Sequence, residues 1–448
     1  MNKTPKELLV ALGADVLAEA LLELADKEKR AGDLVTRLIT GPEEKIKRFK
    51  SKLSGLKRSK RFVPRRDSSK VAGELEELLA LLKSAVTEPQ TGAELVLSFC
   101  ETDTSTLGRC DDSDGIIGDV YSYTAPELFR SWAAESKDKK GLIKKLFKVV
   151  NKDDFGVRDA LVKEATGWLS EDEIRYLIAL LAAFTEKQDG RYDFNQGSHC
   201  QEILALQVQD APLFERVRRG WRGELCTADY LDIAQAYFDS GDVETSRGWL
   251  ERVSDDESFQ AMERAHLLVC VYGALGEKEK QAKLAWWVFR RTRSMADFER
   301  VIGVIGEEKR GAALAGEFGT MMSQDQLSYE DLSFLVRLGN LDDVERYLMP
   351  RADQLDGDHY WVFAPLAKQM DEAGYPLSAT LLFRALLDSI LKRAQTKTYP
   401  MGVRYLKRLD QLALDISDWR SVEDHGVYAE GLRIQHGRKT SFWSRYDG

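Results

Sequence analysis

Apolar residues recur along this chain three and four positions apart, in runs closed by short polar breaks, the period of a helix with one buried face. No run alternates apolar and polar positions long enough to make a strand, so the expected fold class is all-α. Thr4-Pro5-Lys6-Glu7 has the spacing of a capping box with proline at the first helical position, and Leu8, Leu9, Leu12, Val16, Leu17, Leu21 and Leu24 follow as one apolar stripe. Ile46, Phe49, Leu53 and Leu56 make a second stripe, expected to end near Gly55 or Leu56. Lys57 to Asp67, with Pro64 inside it, reads as a loop or a tether. Further helices are expected over Val71 to Val86, from Glu88-Pro89 to near Leu107, and over Tyr123 to Ala134, Leu142 to Val150, Val157 to Leu169, Ser170 to Thr185 and Cys200 to Gly220. Tyr192 to Gly197 is the best linker candidate. The expected organisation is an irregular helical domain over residues 1–190 and a helical repeat domain over residues 198–448.

A slower period runs through the second half. Gly241, Gly276, Gly306, Gly339 and Gly374 are separated by 35, 30, 33 and 35 residues, each after an apolar run and before a short polar turn and a second amphipathic run. Such spacing is the mark of stacked helix-turn-helix repeats, an α-α superhelix of tetratricopeptide type, with each glycine as a left-handed helix cap. Small and aromatic residues inside the runs suit close helix pairing. A last pair, near Val403 to Ile416 and Val422 to Ile434, would close the stack. The Tyr-x3-Ala-x2-Tyr-x3-Gly-Asp pattern from Tyr230 to Asp242 looks like a tetratricopeptide helix pair; later units depart from it, since most lack the proline that often ends such a repeat.

Three further stretches carry a more specific resemblance: Asp111-Asp112-Ser113-Asp114-Gly115-Ile116-Ile117-Gly118-Asp119, Asp153-Asp154-Phe155-Gly156-Val157, and the end His436-Gly437-Arg438-Lys439-Thr440-Ser441-Phe442-Trp443. They resemble an uncharacterised bacterial family of all-helical proteins, itself similar to the helical repeat region beside SWIM zinc fingers. The resemblance implies the helical fold. The SWIM metal motif, Cys-x-Cys followed by Cys-x-His, is absent.

Charge changes the picture in one place. The formal net charge is −9, yet Lys45 to Arg66 holds eleven Lys and Arg and no Asp or Glu, so the rest of the chain carries −20. Such a window suits a phosphate backbone or an acidic protein surface; equally it suits a solvated helix face, or an arm lying on the acidic remainder of the same chain. Lys57, Arg58, Lys60, Arg61, Arg65 and Arg66 are the candidate polyanion or partner-binding residues. Only Phe49 and Phe62 interleave with the cations, which is thin for stacking on bases. Five scattered cysteines do not make a disulfide framework and fit mostly buried thiols in a cytoplasmic protein. The apolar stretch Leu8 to Leu24 is interrupted by Asp15, Glu19 and Glu23, unlike a signal peptide, and no membrane span is expected.

The remaining chemistry is sparse. The Asp111–Asp119 run does not have calcium-loop spacing: with Gly115 at the loop glycine, Tyr121 falls where a bidentate Glu belongs, and a tight turn with an N-cap is the better account. No phosphate-binding loop, dinucleotide fingerprint or nucleophile elbow is present, and no metal or other cofactor is expected. Trp286 and Phe289 are expected in the core between repeats, with Trp287 on a neighbouring face as a partner anchor. The Phe442–Tyr446 tail reads as a docked capping tail, the favoured account, or as a short linear ligand. The function expected is a non-catalytic scaffold for a protein or peptide; the alternative is nucleic-acid binding through Lys45–Arg66 within a larger assembly.

Overall fold

The computed structural model describes residues 4–29, 31–32, 35, 41–185, 196–254 and 258–448. Helices account for 78% of it, and among the described residues there is no strand, only an isolated bridge between Val63 and Cys110. The all-α expectation holds. Two compact units follow one another along the chain, Met1–Phe259 and Gln260–Gly448. Residues 192–195 of the linker candidate lie outside the described residues; Gln196 and Gly197 open the helix Gln196–Gln207.

In the first unit one apolar core runs from Phe49 to Leu204. The helices Pro89–Cys100, Ala125–Glu135, Lys139–Val150 and Glu171–Thr185 supply most of it. Cys200 and Leu204, on the helix that opens at Gln196, belong to the same core. The capping box at Thr4 and Glu7 forms, but its helix stops at Ala11. Gly13, at φ 84°, then opens a separate helix, Ala14–Lys27.

Val157 to Leu169, expected as a helix, is instead two 3-10 turns, Arg158–Leu161 and Ala165–Gly167. Val162, Ala165 and Trp168 are all buried and recur every three positions, the period of a 3-10 turn. Cys200 to Gly220, expected as one helix, is two: Gln196–Gln207 and Ala211–Arg222. Gln209 takes φ 53°, Asp210 N donates to Ala205 O at 2.9 Å, and the Asp210 carboxylate caps Leu213 N at 3.0 Å.

The five periodic glycines all have positive φ, from 72° at Gly276 to 103° at Gly306. At Gly241, Gly276 and Gly374 the next residue reaches back five positions. Asp242 N to Tyr237 O, Glu277 N to Tyr272 O and Tyr375 N to Met370 O are each 2.9 Å, the long bond of a Schellman turn. Each of these turns folds one helix onto the next: Thr227–Asp239 onto Val243–Leu250 in the first unit, and Ala261–Ala274 onto Lys278–Thr292 and Tyr360–Glu372 onto Pro376–Arg393 in the second. Gly339, at φ 79°, does the same for Tyr329–Leu338 and Leu341–Leu348. Gly306 is different. Its ψ of 143° takes it out of the left-handed helical region, and a 3-10 turn, Glu307–Lys309, separates Met295–Ile305 from Arg310–Met322.

The second unit closes on its own core, which takes in Phe298, Phe334, Tyr347 and Phe363. The tail docks: Phe442 and Trp443 are buried on the helix Thr440–Asp447, and Trp443 Nε1 donates to His436 O at 2.9 Å.

Candidate partner-binding groove

The cationic window begins as the helix Pro42–Arg58 and reaches two residues past its expected end. Pro42 sits at the first turn with Glu43 and Glu44, and Lys57 and Arg58 fall in the last turn, so each end carries the charge its helix dipole favours. Phe49 and Leu53 are buried and Ile46 and Leu56 half-buried, which fixes this helix against Ser68–Ala85. The lysines and arginines are therefore turned outward.

The segment after Arg58 is pinned and is not a tether. Val63 N donates to Arg109 O and Asp111 N to Val63 O, both at 2.9 Å, and Arg109 Nη1 donates to Arg61 O at 3.3 Å. Arg65 forks onto Asp114, with Nε at 2.9 Å, and holds that carboxyl below its ordinary range. Ser68 Oγ donates to Asp111 O at 2.6 Å. The aspartate-rich turn and the basic segment, far apart in the chain, are one structure. Asp112 completes the turn by accepting Ile117 N at 2.9 Å and Gly118 N at 2.8 Å, with Gly115 left-handed at φ 73°. Gly115 at the N-cap has no side chain, and Asp112, three residues earlier, takes the amides that a capping side chain would accept.

Between the basic helix, the pinned segment and Ser68–Ala85 lies an open groove of about 880 Å³. The half-buried Leu56, Val71 and Leu81 line it beside Phe62, 65% exposed, over the buried Leu75 and Leu78. Lys47, Arg48, Lys52, Arg61, Lys70 and Arg109 supply cations, and Glu44, Asp67, Glu74 and Glu77 supply carboxylates.

The six nominated cations divide. Lys57 pairs with Glu101 at 2.8 Å and Arg65 with Asp114, so these two lie on the acidic remainder of their own chain. Arg58 Nε donates to Ser54 O at 3.0 Å. Lys60 and Arg66 are exposed and do not line the groove; Arg61 alone of the six does. Lys47, Arg48, Lys52, Lys70 and Arg109 were not nominated. The i, i+4 pair Arg48 and Lys52 was visible in the helical period. Lys70 and Arg109 join the groove only through the fold.

A family model described as a family of unknown function (DUF6880) matches residues 2–224 and 226–445. The chain belongs to this family. Among curated proteins no sequence matches it. In this member of the family the Asp153 run is a second capped loop. Asp153 Oδ1 accepts the amides of Phe155, Gly156 and Val157 at 2.8–3.2 Å, and Oδ2 accepts Arg158 N at 2.7 Å. Burial nevertheless pushes its carboxyl up. Arg158 turns inward to fork onto the buried Asp103, with Nε at 2.7 Å.

Other sites fall outside the groove. Trp287 is 39% exposed with the Arg291 guanidinium 4.9 Å from its ring centre, while Phe289 is buried and Trp286 packs against it. Cys100 and Cys200 are buried and their thiols pushed up by burial, but Cys226 and Cys270 are exposed, so mostly buried thiols is too broad an expectation. Among the described residues no group of three or more His, Cys, Asp or Glu is placed to hold a metal ion, and no helix is long and apolar enough to cross a membrane.

Proposed function

We propose that the protein is a non-catalytic, cytoplasmic helical scaffold, and that the groove beside the Pro42–Arg58 helix holds an acidic amphipathic helix of a protein partner. The observation that carries this reading is the make-up of the groove: an apolar lining flanked by cations, with carboxylates among them. A phosphate backbone is uniformly negative and gains nothing from the apolar part of the lining. An amphipathic helix seats its apolar stripe on the leucines and sets its carboxylates against Arg48, Lys52 and Arg61. The glycine turns support the finer architectural proposal, that the helix pairs of the second unit stack as a tetratricopeptide-like superhelix. The few, odd, scattered cysteines fit a reducing compartment.

The test is fluorescence anisotropy of the full chain against two probes, a designed acidic Leu/Glu helix and a generic single-stranded RNA, at low and high salt. The peptide is expected to bind more tightly, with moderate salt dependence, and to lose about tenfold or more in affinity on Arg48→Gln with Lys52→Gln. Tighter, steeply salt-dependent RNA binding lost by the same substitutions would establish the nucleic-acid alternative instead.

A further inference from the structure

Among the described residues, the first unit holds an element with no buried side chain, and its chemistry mirrors the groove. Neither Pro5–Ala11 nor Ala14–Lys27 contains a buried residue. Val16, Leu22 and Leu24 are 51%, 55% and 46% exposed. An amphipathic helix of this length draws its stability from covering its apolar stripe; Leu17 and Leu21 at the centre of the stripe are half-buried, and Val16 and Leu24 at its edges stay exposed among the described residues. Asp15, Glu19 and Glu23 stand at i, i+4 and i+8, with Asp26 one turn further; Lys27, the one cation on the helix, pairs with Glu23 at 2.5 Å in an exposed contact that a buried partner can displace. The helix thus presents an acidic ridge beside an apolar one.

We infer that the groove is occupied by the Ala14–Lys27 helix of a second copy of this chain, an inference that rests on the groove reading above. The apolar ridge meets the leucine lining, and Glu19 and Glu23 meet Arg48 and Lys52. Among the described residues of the single chain both surfaces stay open, whereas reciprocal exchange covers both at once and closes a two-fold dimer. A lipid surface is the wrong cover for this helix, because helices that lie on anionic membranes carry lysine and arginine on their polar face.

The test uses full chains and two charge-reversed variants, Glu19→Lys with Glu23→Lys and Arg48→Glu with Lys52→Glu. All four positions are on the surface, and circular dichroism checks that helix content is unchanged. Light scattering and sedimentation across a wide concentration range should give a dimer for the wild type. Each variant alone should dissociate about tenfold or more readily. An equimolar mixture of the two should recover the dimer, because in the mixed pair both contacts are again oppositely charged. A wild type that has the mass of one chain throughout overturns the inference, as does a dimer that neither reversal weakens. If that monomer still binds the designed acidic peptide, the groove reading stands and only the second copy falls. If Arg48→Glu with Lys52→Glu alters neither mass nor peptide binding, both fall.

Discussion

At the residue scale, Arg218 is one of the buried arginines that hold the first unit together. It forks onto the buried Glu202 at 2.6 and 3.1 Å and reaches Asp229 and Asp232 at 2.8 Å, tying together three successive helices. Burial would lower its pKa, but the three carboxylates hold it above its ordinary value. Arg218→Met leaves the buried Glu202 without its ionic partner and Asp229 with only the longer ionic contact to Arg222 at 3.3 Å, and is expected to cost about 3–5 kcal/mol, measured by chemical denaturation of the full chain. The second unit uses the same device, with Arg293 joined to Glu317 at 2.8 Å and to Asp331 at 2.6 Å.

Asp297 gives a pH signature. Burial alone would raise it, but hydrogen bonds from Thr292, Ser294, His266 and Arg300 bring it from its ordinary 3.8 down to about 2. A depressed carboxylate stabilises the fold above its unfolded pKa, and that stability is lost as the pH falls through the folded value. The Asp297 contribution, about 2 kcal/mol, is therefore complete above about pH 4 and gone below about pH 2. Asp297→Asn should remove it at neutral pH and flatten the acid limb of a stability profile across that window.

Little of this was legible in the chain. Lys57 and Arg65 could be nominated from charge density, yet their carboxylates lie 44 and 49 residues away. A one-dimensional count cannot separate a cation paired by the fold from one left facing solvent.

At the element scale, the turn decides where helices end. An added Cβ at Gly241, Gly276 or Gly374 meets no atom within 4 Å, so the left-handed backbone is the only obstacle to alanine there. Each Gly→Ala substitution is expected to cost about 1 kcal/mol. Gly316 and Gly319 are equally open but sit exposed inside the helix Arg310–Met322, so alanine there should stabilise by about 1 kcal/mol. Thermal unfolding of the matched set reads both signs.

Gln209 extends the rule. It makes the same turn 32 residues before Gly241 without glycine, and Gln209→Gly should raise stability by up to about 1 kcal/mol. The glycine period was read directly because only glycine enters the left-handed region without strain. The Gln209 turn was missed because its signal, Asp210 followed by Pro212, is a helix start that a continuing apolar run masks. The 3-10 segment at Val157–Leu169 was missed for a related reason: a three-residue spacing imitates a helix over so short a span.

At the scale of the whole molecule, the sequence separates two properties that the structure keeps apart. Regular turns build the helix pairs, and the asymmetric charge sits outside those pairs, on the Pro42–Arg58 helix of the first unit and the pinned segment after it. All-helical character was legible throughout, because period and caps are local. The groove was not, since it exists only once Arg109 and the Asp111 turn pin the segment after Arg58.

The central claim, that this groove holds an acidic amphipathic helix, is tested most directly by hydrogen–deuterium exchange of the full chain with and without the designed acidic peptide. Added protection is predicted over the Pro42–Arg58 and Ser68–Ala85 helices and the segment between them, with none around Trp287. Unchanged exchange there, or protection confined to the second unit, would contradict the account.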